Sequence, residues 1–283
     1  MSKHNIAEKV TLFKENGYVL IEPLDGDLID KCKNLKRQII ESKDKMRTAF
    51  ANEEGVARHL INIARSESKE LVMEVLKDKN VYEIINSAFD NIDLDITHSK
   101  ISFKTVGANS DWLAHQDNGY RIANGKKARE GSAIMVFLED VTLEDGPLEV
   151  ISKSHKNGTL EHERIWESDE KIDYQLGLTG FLDDEFTKVT GKAGSVVLFD
   201  NDTIHRSGPS YKSSRYCMIV EVKGSDHKSL DDYGLPPIPY NYSPSLLESL
   251  SKNVKSYFDL GRVWMIIRKS KLLTKVVRRI AFR

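Results

Sequence analysis

The stretch Asp111-Trp112-Leu113-Ala114-His115-Gln116-Asp117 places a histidine and an aspartate two residues apart. In an extended chain, side chains two positions apart point to the same face, so His115 and Asp117 are predicted to face a common point. A second histidine, His205, follows the apolar run at residues 194–199. Two imidazoles and one carboxylate form the facial triad that holds non-haem Fe(II) and leaves other coordination positions open. The sequence therefore predicts that His115, Asp117 and His205 are metal ligands.

An arginine near the second histidine indicates what binds beside the metal. Arg215 comes ten residues after His205 and begins an apolar run at residues 216–220, which is typical of a buried strand. A buried guanidinium needs an anionic partner, and its planar fork fits a carboxylate. This combination suggests 2-oxoglutarate, whose keto-acid end chelates iron and whose C5 carboxylate reaches Arg215. Ser207 is two residues beyond His205 and is predicted to donate a hydrogen bond to that same carboxylate.

Four ordered motifs give the chain a resemblance to a known family. They are Asn-Gly-Tyr-Val-Leu at 16–20, Ser-Lys-Ile-Ser-Phe-Lys at 99–104, Asp-Gly-Pro-Leu at 145–148 followed by Ser-His-Lys at 154–156, and Gly-Ser-Val-Val-Leu-Phe at 194–199. From about residue 17 to residue 222 the chain resembles the phytanoyl-CoA dioxygenase family of Fe(II)/2-oxoglutarate oxygenases, which includes the ectoine hydroxylases. One departure is Ser152-Lys153-Ser154-His155, where the family usually has Pro-Gly-Ser-His.

The resemblance implies a dioxygenase that uses Fe(II), 2-oxoglutarate and O2 to hydroxylate an unactivated C–H bond of a small molecule, with release of succinate and CO2. Asp117 favours hydroxylation, because related halogenases have a small residue at that position. Desaturation and ring formation remain open. Two other classes are weighed against this hypothesis, a metal-dependent hydrolase with the same ligands and a non-catalytic jelly-roll ligand-binding protein. Arg215 argues against the hydrolase, and the intact triad with Arg215 argues against the binding protein.

The strand that precedes the metal motif is predicted to line the substrate cavity. Ile101 and Phe103 alternate with Lys100, Ser102 and Lys104, so an apolar face can pack against helices while the polar face turns inward. In the ectoine hydroxylases, the positions that match Lys100 and Ser102 contact substrate and 2-oxoglutarate as Arg and Asn. The departure at both positions makes ectoine an unexpected substrate. An edge strand with a solvated polar face remains the alternative.

Further site residues are predicted around the metal motif. By family position Trp112 packs near 2-oxoglutarate, although an ordinary core tryptophan is an equal alternative. Tyr120 is predicted to aim its hydroxyl at the substrate. His155 competes with His205 as third ligand, and we prefer His205 because it follows a strand and is followed by Arg215. The basic residues Lys100, Lys104, Lys126, Lys127 and Arg129 favour a substrate that carries a negative charge. The resemblance implies either a free small molecule or a carrier-linked acyl group.

The order of elements predicts an α+β protein. Helices are expected at residues 6–16, 27–45 and 70–89, with Gly17 ending the first one, and antiparallel strands follow. We expect a double-stranded β-helix, the jelly-roll or cupin-like fold, buttressed by the N-terminal helices. Residues 1–223 form this oxygenase domain, and residues 224–283 are predicted to be a proline-containing linker and a basic amphipathic helical extension.

Composition limits partners and location. The formal net charge of −1 gives no argument for a nucleic-acid partner, and two distant cysteines, Cys32 and Cys217, fit a reducing cytoplasmic compartment. The basic stretch at residues 262–283 contains no acidic residue and can lie on an anionic membrane surface or dock an acidic partner. The alternative is that this extension packs on the barrel with its charges in water.

Overall fold

Helices come first along the chain and strands follow. The computed structural model describes residues 3–23, 26–41, 58–61, 69–90, 92–104, 106–107, 113–166, 174–225 and 238–239. The helices are α1 (Lys3–Asn16), α2 (Gly26–Glu41), α3 (Lys69–Lys77), α4 (Lys79–Ala88) and α5 (Asp117–Ala123). The strands are β1 (Tyr18–Ile21), β2 (Arg58–Ile61), β3 (Leu94–Lys104), β4 (Gly131–Phe137), β5 (Leu148–Val150), β6 (Glu163–Trp166), β7 (Tyr174–Gly177), β8 (Thr187–Val189), β9 (Val196–Asp200), β10 (His205–Ser207), β11 (Arg215–Gly224) and β12 (Ile238–Pro239).

The strands form two main antiparallel sheets. The larger sheet has the order β1-β9-β4-β11-β3-β12, and β2 also pairs with β3. The smaller sheet has the order β10-β5-β8, and β6 pairs with β7 as a separate two-stranded unit. Strands that are neighbours in the larger sheet are far apart in sequence. For example, β11 pairs with β3 from Arg215 opposite Lys104 to Gly224 opposite Leu94.

The larger sheet is buried on both faces. In β4, Ile134 and Val136 pack outward in a core that also contains α1, α2, α3 and α4. The alternate residues Ala133, Met135 and Phe137 pack inward with residues of β5 and β8 of the smaller sheet. A continuous apolar run such as β4 is therefore required, because each face of the strand meets a different apolar layer. This arrangement of two facing antiparallel sheets with helices outside confirms the predicted jelly-roll fold.

Two predictions about the helices have different outcomes. Gly17 ends α1 as predicted, with φ of +81° and its amide donating to the carbonyl of Phe13 at 2.8 Å. The single helix predicted over residues 70–89 is two helices, α3 and α4. The break occurs at Asp78, whose carboxylate accepts hydrogen bonds from the amides of Asn80 and Val81 and so caps a new helix.

The predicted extension is described only in part. Ile238 and Pro239 form β12 and pair with Ile96 and Asp95 of β3, so this piece of the predicted linker belongs to the sheet. Residues 240–283 lie outside the described residues, and the basic helical extension stays a prediction. Within the described ranges, no helix is long and apolar enough to cross a membrane.

The packing between sheet and helices gives a testable prediction for stability. Leu198 of β9 is completely buried, whereas Leu182 is 67% exposed. We expect Leu198→Ala to lower the free energy of unfolding by about 2–5 kcal/mol, because it removes buried methyl groups and leaves a cavity. The matched change Leu182→Ala is expected to alter it by about 0.5 kcal/mol or less. Urea denaturation followed by circular dichroism measures both, and equal values would contradict the assignment of Leu198 to the core.

Candidate metal centre

The two predicted histidine ligands are joined through their backbones. The amide of His115 donates to the carbonyl of His205 at 2.9 Å, and the amide of His205 donates to the carbonyl of His115 at 2.9 Å. This reciprocal antiparallel bridge attaches the segment before α5 to β10. Opposed residues in an antiparallel pair project their side chains to the same face, so the bridge brings the two imidazoles together. Their ring centroids are 4.3 Å apart.

Asp117 reaches the same point from a different local structure. The extended backbone predicted for the whole motif ends at Gln116, and Asp117 is the first residue of α5. The donor atoms of His115, Asp117 and His205 still lie within 4.8 Å of one another. The Nε2 atom of His205 is 3.8 Å from Oδ1 of Asp117. The structure therefore brings together all three predicted metal ligands.

Each imidazole presents the nitrogen that a metal needs. Nδ1 of His115 lies 2.7 Å from the carbonyl oxygen of Leu113, and Nδ1 of His205 lies 2.9 Å from that of Thr203. An imidazole that donates from Nδ1 to a carbonyl keeps its lone pair on Nε2, and such a partner also fixes the ring orientation. With Nδ1 held by a carbonyl, Nε2 of each ring is left to bind a metal.

Burial favours the neutral form of all three groups. Burial and the neighbouring His205 lower the pKa of His115 to about 3, and burial lowers the pKa of His205 to about 4. Burial and the nearby Glu221 raise the pKa of Asp117 to about 6. Neutral imidazoles are the form that binds metal, and a divalent cation would compensate for the burial of the Asp117 carboxylate.

Arg215, which is predicted to bind an anion, is the first residue of β11. Its guanidinium donates to the carbonyl of Gly146 and, from Nη2, to Oγ of Ser207 at 3.1 Å. The side chain is buried, and Nε is fully buried without a hydrogen-bond partner. An unsatisfied buried N–H is unfavourable unless a ligand accepts from it. Arg215 and Ser207 therefore offer adjacent hydrogen-bond donors, at the position where the C5 carboxylate of 2-oxoglutarate was predicted.

The donor set fits the predicted cofactors. One face of the metal site is provided by two nitrogens and one carboxylate, the ligand set typical of Fe(II) oxygenases. Arg215 and Ser207 line the same cavity as the triad, which is the arrangement that a dicarboxylate bound to both a metal and a guanidinium needs. His115, Asp117 and His205 would hold Fe(II), and Arg215 with Ser207 would hold 2-oxoglutarate.

The other predicted site residues have different locations. Lys100, Ser102 and Tyr120 line the cavity, and the ring of Tyr120 stands edge-on to His115 with centroids 5.5 Å apart. Lys104 does not line it, because its side chain is buried and its ammonium donates to the carbonyl of Gly208 at 2.6 Å. Trp112 lies outside the described residues, so its predicted role stays a prediction.

Comparison with known proteins agrees with this geometry. The family model described as "Phytanoyl-CoA dioxygenase (PhyH)" matches residues 13–217, which is well over half of the chain. The chain belongs to the phytanoyl-CoA dioxygenase family. This confirms the resemblance found from the four sequence motifs.

Individual family members are similar at moderate identity. A "Phytanoyl-CoA dioxygenase" from Arabidopsis thaliana is 30% identical over 132 residues, which are 46% of this chain and 45% of that protein. An "L-proline trans-4-hydroxylase" from Streptomyces griseoviridis is 30% identical over 136 residues, or 43% of this chain and 51% of that protein. The alignments thus span about half the length of these curated relatives.

A solved structure of the same fold has much lower identity. EctD from S. alaskensis, crystallised with 2-oxoglutarate and 5-hydroxyectoine, is 17% identical and superimposes with a TM-score of 0.58. The superposition covers 79% of this chain and 76% of that chain. At this level of identity, the similarity shows that the two chains share a fold.

Several cavity residues of this family member were missed by the sequence analysis. His98, Arg121, Glu221 and Lys223 all line the cavity. Glu221 and Lys223 lie on the inward face of β11 and form a buried ion pair with Nζ and Oε2 2.8 Å apart. The signal was present, since residues 215, 217, 219, 221 and 223 share one face of a strand with period two. The continuous apolar run at residues 216–220 made this strand look buried on both faces, so the polar pair at its end was not predicted to face the cavity.

A network of hydrogen bonds fixes the segment that carries His115 and Asp117. The amide of Gln116 donates to Nε2 of His162 at 2.8 Å, and Nδ1 of His162 lies 2.9 Å from the carbonyl oxygen of Leu160. The side-chain amide of Gln116 donates to the carbonyls of Gly158 and Asp202 at 2.9 and 2.6 Å. This Gln116–His162 network therefore connects both ligand-bearing segments to the loop at residues 158–162.

His155, the rival third ligand, lies elsewhere. Its Nε2 is 3.1 Å from the carbonyl oxygen of Lys14, and its ring packs against Gly17, where an added Cβ would come within 2.4 Å of Nδ1. His155 joins α1 to the loop after β5 and is absent from the group of donor atoms around Asp117. These contacts fit the structural role that the sequence analysis preferred for His155.

The Gln116–His162 network predicts a specific effect on metal binding. We expect His162→Ala to weaken the affinity for Fe(II) or Zn(II) about 10- to 100-fold, the range typical of groups that orient metal ligands. Competition with a chromophoric chelator measures this affinity. His155→Ala is the matched control and should leave the metal affinity unchanged, even if it lowers stability. A large loss of metal affinity in His155→Ala would overturn the assignment of His205 as third ligand.

Proposed function

We propose that this protein is an Fe(II)- and 2-oxoglutarate-dependent dioxygenase that hydroxylates an unactivated C–H bond of a small molecule and releases succinate and CO2. Membership of the phytanoyl-CoA dioxygenase family supports this reaction class. The named activities of two relatives, a phytanoyl-CoA dioxygenase and a proline hydroxylase, are consistent with it. Docking of the basic C-terminal stretch on a membrane or acidic partner is a separate proposal, for residues outside the described ranges.

The observation that carries the proposal is the combination of two sites in one cavity. Two imidazoles and one carboxylate converge within 4.8 Å, and the buried Nε of Arg215 lacks a hydrogen-bond partner beside them. A metal-dependent hydrolase could use the triad, but it has no need of a second anion site in the same cavity. Iron with 2-oxoglutarate uses both features, because the cosubstrate carries a chelating end and a free carboxylate.

The residues have distinct roles in this reaction. His115, Asp117 and His205 would hold Fe(II), and Arg215 with Ser207 would fix the distal carboxylate of 2-oxoglutarate. The metal and its cosubstrate supply the O2 activation and C–H oxidation when they are bound.

The protein also controls the surroundings of the metal. Apolar side chains on the cavity wall exclude water from the region next to the triad: Ala133, Met135, Leu148, Phe199 and Ile219. Phe199 packs against the ring of His205 with centroids 4.7 Å apart, so it also restrains that ligand. Exclusion of water strengthens electrostatic interactions and protects reactive species from side reactions.

Succinate release tests the reaction class without knowledge of the substrate. With Fe(II), 2-oxoglutarate and O2, the wild-type protein is expected to form succinate slowly in the absence of substrate. His115→Ala should lower this rate at least about 100-fold, because a first ligand contributes more than the 10- to 100-fold typical of its supporting groups. Succinate is quantified by chromatography.

The same assay separates the alternatives. A hydrolase would leave 2-oxoglutarate unconsumed, and a non-catalytic binding protein would bind it without turnover. Absence of succinate formation by the metal-loaded wild-type protein, with 2-oxoglutarate binding intact, would refute the proposal.

Arg215 makes a second prediction, for cosubstrate affinity. Arg215→Met is expected to raise the KM for 2-oxoglutarate at least about 10-fold, because charge-assisted hydrogen bonds contribute about 1.5–3 kcal/mol. Arg215→Lys should restore part of this loss, since it keeps the charge but not the planar fork. Steady-state succinate formation at varied 2-oxoglutarate gives KM. An unchanged KM in Arg215→Met would show that the cosubstrate binds elsewhere.

A further inference from the structure

The charges of the metal, its cosubstrate, Asp117 and Arg215 sum to zero, so no other cavity residue is needed to neutralise them. Under the proposed function, Fe(II) and Arg215 contribute three positive charges, while Asp117 and dianionic 2-oxoglutarate contribute three negative ones. This half of the cavity is therefore neutral when loaded. Any further charge on the cavity wall is available to the remaining ligand, which is the substrate.

The remaining wall is strongly positive. Among the described residues that line the cavity, six are Lys or Arg, and only Asp117 and Glu221 carry a carboxylate. Arg206 is neutralised by Glu149 and Asp183, each at 2.6 Å. Lys223 is neutralised by Glu221 at 2.8 Å. Lys100 and Lys126, which also line the cavity, belong to neither of these pairs.

Glu221 itself is not available as a partner for these cations. Burial alone would raise its pKa, but Lys223, His98 and Lys100 together hold that pKa below its ordinary value. The residue is therefore ionised, and its carboxylate is already paired with Lys223. The Glu221–Lys223 pair adds no net charge to the cavity.

Lys100 and Lys126 are the cavity cations that can still bind an anion. In the described part of the chain, neither ammonium makes an ion pair or hydrogen bond. Lys100 lies on the inward face of β3 opposite Ile219 of β11, two residues along each strand from the position where Glu221 faces His98. It lines the same cavity as His115, Asp117 and His205. Lys126 is exposed at the cavity wall, on the loop that follows α5.

Other basic residues nearby are anchored to carbonyls. Lys104 donates to Gly208, and the guanidinium of Arg129 donates to Gly224. Arg121 holds the loop by donating from Nε to the carbonyl of Lys127 at 3.1 Å, and it also lines the cavity. Lys100 and Lys126 therefore carry the positive charge that is left for a ligand, and Arg121 of α5 lines the same cavity.

The size of the cavity limits the ligand. Its volume is about 330 Å³. Binding cavities for small molecules range over roughly 300–1,000 Å³, so this one is near the lower limit while it also has to hold the metal and 2-oxoglutarate. The part of the substrate that enters is therefore small.

We propose, on the basis of the proposed function, that the substrate is a small acid whose carboxylate or phosphate group is bound by Lys100 and Lys126. Lys100 binds the anionic group close to the metal, and Lys126 attracts it at the cavity wall. Arg121 adds to the positive potential from α5. This arrangement places the C–H bond to be oxidised within a few bonds of the acidic group.

The test uses matched ligands and the Zn(II)-loaded full-length protein with saturating 2-oxoglutarate. The probes are inorganic phosphate, small carboxylic acids with their uncharged amides, and phosphate monoesters with their parent alcohols. Isothermal titration calorimetry gives each Kd. We expect members of at least one acid series to bind at least about 10-fold more tightly than their neutral partners, because a hydrogen bond to a charged group has this magnitude. The carboxylate and phosphate series then identify which anion is preferred.

Variants locate the binding group. Lys100→Met should weaken acid binding at least about 10-fold, and Lys100→Arg should retain most of it. The matched control is Lys127→Met, which removes an exposed ammonium next to Lys126 but outside the cavity wall, and it should leave Kd unchanged. The Kd of 2-oxoglutarate is measured in every variant, and it should change less than about threefold in Lys100→Met.

Two results would overturn the inference. One is that neutral or cationic probes bind as tightly as the matched acids, and the other is that Lys100→Met leaves acid binding unchanged. Uncoupled succinate formation by the wild-type Fe(II) protein separates this from the proposed function. If succinate forms and acids show no preference, only the substrate class is wrong. If no succinate forms while acids bind in a Lys100-dependent manner, the dioxygenase proposal fails and the anion site stands.

Discussion

The pair of backbone hydrogen bonds between His115 and His205 is the constraint on which the rest of the site depends. It joins two segments that are ninety residues apart in sequence, and it does so at 2.9 Å in both directions. Side chains alone could not hold two imidazoles and a carboxylate in one geometry, because each would keep its rotamer freedom. The bridge fixes the relative position of the two backbones. The carbonyls of Leu113 and Thr203 fix the orientation of the two imidazole rings. The Gln116–His162 network fixes the backbone just before Asp117.

The barrel makes this bridge possible by burying both faces of the larger sheet. Residues of β4, β9 and β11 alternate between a helix-facing core and a core between the sheets. This double burial prevents register slips, since a shift by one residue would exchange the two faces. A fixed register places Arg215, at the start of β11, beside Ser207 of β10. The distance between the metal and the anion site is thus a consequence of strand pairing.

The electrostatic design of the cavity follows from its burial. Low solvent exposure keeps both imidazoles neutral and makes the Asp117 carboxylate dependent on a cation. It also makes the unpartnered Nε of Arg215 unfavourable until an anion binds. A divalent cation beside Asp117 and a dicarboxylate beside Arg215 would offset both costs together. Lys100 is not needed to bind the metal or 2-oxoglutarate, and we therefore assign it to substrate binding.

The sequence by itself determined the local chemistry: the three ligands, Arg215 with Ser207, the apolar and polar faces of β3, and the stop of α1 at Gly17. These features depend on residue type and on spacing within one element, which are visible in a linear chain. Only the tertiary structure decided that Asp117 begins a helix, that Lys104 turns to Gly208, and that Glu221 and Lys223 enter the cavity as a pair. The physical reason is that long-range strand pairing and burial select the partner of a charged side chain, and neither is encoded within a single segment.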